Sequence, residues 1–60
     1  MQTYKIIYTY LYDKTQEQHF ESVQAKSAEE AKQIAFNKIN EVSDKTFKIR
    51  AVTLNDQVVL

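Results

Sequence analysis

The chain has no cysteine, glycine, proline or tryptophan, and most of these absences remove a class of answer. Without cysteine there is no disulfide and no thiolate metal site. Without glycine there is no phosphate-cradling loop or dinucleotide fingerprint, because both need backbone that can approach a phosphate closely. Average usage would supply about seven glycines and prolines in a chain this short. Its turns must instead be made by Asp, Asn, Ser, Lys and Thr, which accept tight or left-handed geometry less readily than glycine. A designed chain would place glycine in such turns, so the sequence reads as natural.

Charge of one sign is also missing. Eight basic and eight acidic residues cancel, leaving no strong long-range attraction to nucleic acid or to a membrane surface. No run of about 18 apolar residues occurs, and no basic-then-apolar leader opens the sequence. A soluble, unprocessed chain is expected, and the lack of cysteine fits a cytoplasmic location.

What remains is one domain of 60 residues. A chain of that size buries only about 60% of the surface its unfolded form exposes, so its stability is marginal. Disulfides are excluded, which makes association with another chain the expected supplement.

The segment "YKIIYTYLYD", residues 4 to 13, has apolar residues on both faces of what is otherwise a strand pattern. Residues 3 to 12 are β-branched and aromatic and predict the first strand. After the polar break Asp13-Lys14-Thr15, "EQHFESVQA" at 17 to 25 predicts a second strand, paired with the first as an antiparallel hairpin. With the turn centred on Lys14-Thr15, Tyr12 would face Glu17, Tyr10 His19, Tyr8 Glu21, Ile6 Val23 and Tyr4 Ala25.

"SAEE" at 27 to 30 is a capping box, and Glu29 and Glu30 also favour the positive end of the helix that follows. That helix should run to about residue 41, with Ala28, Ala31, Ile34, Ala35, Ile39 and Val42 forming one apolar stripe. "TFKIRAVTL" at 46 to 54 predicts a third strand. Asn55-Asp56 then makes a tight turn into a short fourth strand, "QVVL". A right-handed crossover places the third strand beside the first. The expected fold is a single α+β domain, ββαβ(β), its antiparallel sheet ordered 2-1-3-4 with one helix packed on one face.

Tyr4, Ile6, Tyr8 and Tyr10 share a face with Val23 and Ala25. Large rings there would interdigitate with the helix alanines, so this face is assigned to the core, with Tyr12 half exposed. Ile7, Thr9 and Leu11 then point away beside Phe20 and Ser22, with nothing left in the chain to cover them. Ile7, Leu11 and Phe20, rimmed by Lys5 and Arg50, are the expected contact residues for a protein target or for a second copy in a homodimer.

Glu17, His19 and Glu21 alternate on one strand face and could reach a common ion. A solvated edge-strand face is the preferred reading of that trio, and no metal or other cofactor is expected. No catalytic residues are assigned either, since no motif fixes a nucleophile and an orienting carboxylate around His19. Were the faces reversed, Tyr4, Tyr8 and Tyr10 would form a stacking platform for single-stranded nucleic acid. The neutral charge balance speaks against that alternative.

The stretch "FESVQAKSAEEAKQIAFNKI" followed by "FKIRAVTL" resembles the small accessory proteins of phages and plasmids, the DpnD/PcfM-like group. Those combine a strand ending in a V-x-A-x-S-x-E-E-A pattern with a short helix and another strand. Val23 to Ala31 is the specific part of the match, and the long tyrosine strand departs from it. The resemblance implies an origin in a mobile element and a non-enzymatic role, in which the chain binds and modulates a host or phage protein in the host cytoplasm.

Overall fold

A computed structural model describes residues 1–60. Strand β1 (Gln2–Tyr10) is followed by β2 (His19–Ala25), helix α1 (Ala28–Val42), β3 (Phe47–Leu54) and β4 (Gln57–Val58). The strands form one antiparallel sheet ordered β2-β1-β3-β4. Helix α1 lies across one face of it. This is the ββαβ(β) arrangement implied by the sequence.

The covered face is the tyrosine face. Tyr4, Ile6 and Tyr8 of β1 are 5%, 0% and 8% exposed, and they cluster with Val23, Ala25, Val52 and the helix residues Ala31, Ala35 and Ile39. Spacings of four residues put those three helix positions on one stripe, and the two alanines leave room for the rings. Ile6, Ile39 and Val52 are essentially inaccessible, each contributing about 1.5–3 kcal/mol through burial.

Helix α1 starts where the capping box places it. Ser27 takes extended geometry and its Oγ accepts the Glu30 amide at 3.2 Å. The Glu30 carboxylate reaches back to the Lys26 amide at 3.3 Å, one residue beyond the expected partner. At the other end the Ser43 amide donates to the Ile39 carbonyl. The apolar stripe is narrower than the sequence suggests. Ile34 is 38% exposed, about 100° round the helix from the stripe's centre. Val42 falls on the stripe's heading but is 81% exposed, because the last turn runs past the core. Phe36, 44% exposed, leans on Phe47 of β3 with ring centroids 5.2 Å apart.

The first hairpin departs from expectation. β1 stops at Tyr10 and β2 begins only at His19, so Leu11, Tyr12, Glu17 and Gln18 are not strand residues. Tyr8 pairs with His19, Ile6 with Glu21, Tyr4 with Val23 and Gln2 with Ala25, a slip of two residues from the expected register. A slip of two preserves the faces, since side chains alternate with period two. Two side chains of β2 favour the observed register. His19 stacks on Tyr8 at 5.5 Å and meets Tyr10 edge-on at 5.0 Å, and Glu21 is freed to pair with helix residue Lys38 at 2.6 Å. The intervening loop closes on itself: the Asp13 carboxylate accepts the Thr15 amide at 3.0 Å and its hydroxyl at 2.9 Å. Gln16 takes the left-handed conformation there, at φ 54°. Tyr12, expected half exposed, is 87% exposed on this loop.

The β3–β4 connection is a two-residue turn with Asn55 and Asp56 both left-handed, at φ 53° and 65°. Asn and Asp stand in for glycine at positions that require it or a near equivalent. Beyond Val58 the ladder becomes irregular, but Val59 and Leu60 still hydrogen-bond to the Val52 backbone.

Strand β3 carries a bulge. Ile7 pairs with Ala51 and Tyr8 with Ile49, which leaves Arg50 as an extra residue. Phe47 and Ile49 therefore share the helix-covered face with Val52, despite their opposite parity. Arg50 and Ala51 both lie on the other face.

Candidate functional site: the open sheet face

Residues paired directly across an antiparallel ladder share a face. The observed registers thus assemble Phe20, Ile7 and Ala51 into one row across β2, β1 and β3. A second row runs Ser22, Lys5, Thr53 and Val58. Phe20 is 54% and Val58 69% exposed, while Ile7 and Ala51 are half-buried between them. The Lys5 ammonium lies 5.0 Å from the centroid of the Phe20 ring, an arrangement worth about 0.5–1 kcal/mol at an exposed site.

Four of the five contact residues expected from the sequence, Ile7, Phe20, Lys5 and Arg50, come together here. Leu11 does not join them. It lies past the end of β1, and its amide donates to the Thr46 carbonyl at 3.0 Å. Two residues of slip put Phe20 opposite Ile7 and move it away from Leu11.

The expectation that this face is wholly uncovered also needs correction. Thr9 is only 5% exposed, with its hydroxyl accepting the Arg50 Nε–H at 2.9 Å. Arg50 therefore covers Thr9 as well as edging the patch, an arrangement made possible by the bulge. Thr53, 7% exposed, donates its hydroxyl to the Lys5 carbonyl at 3.3 Å. Sequence reasoning missed Val58 altogether. The signal was there: a two-residue turn at Asn55-Asp56 fixes Leu54 opposite Gln57 and hence Val58 opposite Thr53.

A second cluster of polar groups sits where the first hairpin opens. Ligand atoms of Asp13, Glu17 and His19 all lie within 4.8 Å of one another. Glu21, which the sequence grouped with Glu17 and His19, is held by Lys38 instead. Beside the cluster is an open cleft of about 480 Å³ lined by Tyr10, Tyr12, Asp13, Lys14 and Lys45. The Lys45 ammonium stands 5.3 Å from the Tyr10 ring centroid. The Thr15 amide and hydroxyl hold the Asp13 carboxyl below its usual range, with nearby Lys45 and His19 adding to the effect. Burial raises the Tyr8 phenol, and neighbouring Tyr10 and Glu21 push it the same way.

No helix in the chain is long and apolar enough to cross a membrane. No family model, curated protein or solved structure matches the chain.

Proposed function

We propose that the chain is a non-enzymatic interaction protein of the kind carried by phages and other mobile elements. It docks its open sheet face on a host or phage protein in the host cytoplasm and modulates that target, and the same face supports a homodimer. The observation carrying this reading is the Phe20–Ile7–Ala51 row, flanked by Val58 from the neighbouring Lys5–Thr53 row and bordered by Lys5 and Arg50. An apolar centre with a cationic rim is a common composition for a protein contact. The marginal size of the domain supports it too, because a partner would add the buried surface that the chain lacks.

The test compares wild type with Phe20→Glu in sedimentation and in affinity capture from the host cell. The reading expects a self-associated species or a captured protein that the variant loses. A monomeric wild type that captures the same proteins as the variant would rule it out.

Single-stranded nucleic acid is the second reading, and it draws on another place. Tyr4 and Tyr8 lie under the helix and offer no stacking surface, but Tyr12 is exposed beside Lys14 and Lys45 in the loop-end cleft. Binding there would weaken steeply as salt is raised. An apolar contact through Phe20 would not.

A further inference from the structure

The geometry points to a divalent transition-metal site formed by the carboxylates of Asp13 and Glu17 and the imidazole of His19, which closes the loop between β1 and β2. Metal–oxygen and metal–nitrogen bonds of about 2.0–2.2 Å put ligand atoms up to about 4.4 Å apart across an ion. The three groups already lie within 4.8 Å of one another before any ion draws them in. Glu17 is exposed and free to rotate through the small remaining distance.

Two features distinguish this trio from acids that merely share a surface. His19 Nε2 is shielded from water and has no hydrogen-bond partner, and no other buried side-chain polar atom in the chain is left in that state. Its ring is fixed between Tyr8 and Tyr10. Asp13, for its part, is oriented in advance, because Thr15 donates twice to Oδ1 and leaves Oδ2 without a protein donor. Fixing a ligand from behind is the usual support for a metal site. The nearby cation Lys45 is drawn over the Tyr10 ring.

The donor set chooses the ion class. One imidazole and two carboxylates suit manganese, iron(II), cobalt, nickel or zinc, whereas magnesium and calcium favour all-oxygen shells and copper(I) favours sulfur. Three protein ligands leave at least one position for water or for a group on a partner. The site lies at the loop end on the helix-covered side, so it is independent of Phe20 and of the open-face reading.

The test uses the full chain without a histidine tag, titrated with Zn²⁺ by calorimetry and with Mn²⁺ by NMR line broadening. One Zn²⁺ per chain is expected, with Mn²⁺ broadening centred on residues 13 to 19. Asp13→Asn and Glu17→Gln should each weaken Zn²⁺ at least tenfold, while Glu21→Gln leaves it unchanged. Zn²⁺ at a hundredfold excess over Kd should raise the thermal midpoint by about 10 °C or more. His19→Gln should abolish binding. Because that ring is packed among tyrosines, the two carboxylate variants in the loop decide the matter if His19→Gln unfolds. Absence of saturable binding, or broadening centred elsewhere, would overturn the site. So would a larger loss from Glu21→Gln than from Asp13→Asn.

Discussion

The two faces of β1 belong to one strand but are completed in different ways. On one side Tyr4, Ile6 and Tyr8 meet a helix whose buried residues are mostly alanine, and they are 8% exposed or less. On the other, Ile7 has only Phe20 and Ala51 beside it, with Lys5 and Arg50 lying over the sheet. This small chain has placed its single helix over one face only. It encloses one face with small side chains against large rings, and screens the other only with the stems of long cationic residues. A strand apolar on both sides is what a central strand requires when both faces are to be covered. Here the chain itself covers one of them.

The covered face depends most on Tyr8. Tyr8→Ala should cost about 3–5 kcal/mol, by analogy with other large aromatic truncations, and leave the chain largely unfolded by circular dichroism. An intact far-UV spectrum with an unchanged midpoint would mean that the helix does not depend on this ring.

Loosening the helix is the next largest test. Ser27→Ala removes the acceptor for the Glu30 amide and should destabilise by about 1 kcal/mol. In a domain this small that lowers the thermal midpoint by roughly 4–8 °C. Self-association at temperatures below the midpoint should be unaffected, since the cap is remote from Phe20.

A smaller change of opposite sign sharpens the open face. Asp56 is left-handed in the β3–β4 turn, where glycine carries no steric cost but does carry an entropic one. Asp56→Gly should gain about 0.5 kcal/mol and raise the midpoint by about 2–4 °C. Because this turn sets Val58 opposite Thr53, amide protection at β4 should rise with it.

The weakest effect near neutrality is a pH dependence confined to the covered face. Burial raises the Tyr8 phenol above its ordinary value of 10.0, so the unfolded chain loses that proton first. The associated stability is complete below pH 10.0 and is lost as pH rises through the folded-state value. Denaturant midpoints should therefore fall above that pH in wild type, and less steeply in Tyr8→Phe.

Much of this was legible in the sequence because it rests on short-range rules. The alternation of β1, the box at Ser27 to Glu30 and the turn at Asn55-Asp56 each depend on a few adjacent residues. What escaped depends on distant partners. An even slip between β1 and β2 leaves every face unchanged, so alternation alone could not separate Tyr8 opposite Glu21 from Tyr8 opposite His19. The choice lies with the His19 ring between two tyrosines and with Lys38 on a different element. Leu11 left the expected patch for the same reason. The bulge at Arg50 did have a local signature, a spacing of three between Ile49 and Val52 where an unbroken strand would show two. With no glycine to mark it, that change of phase lay inside a segment read as one unbroken strand.

Under the proposed function, the open face of β1 is the contact surface. Sedimentation of wild type and Phe20→Glu, each checked by circular dichroism, separates a contact face from one that is merely exposed. Phe20 is 54% exposed, so its replacement should leave helix and sheet content intact and shift stability by no more than about 1 kcal/mol. A wild-type dimer at micromolar concentrations and a folded, monomeric Phe20→Glu are expected. A folded Phe20→Glu that stays dimeric alongside a dimeric wild type would overturn this assignment.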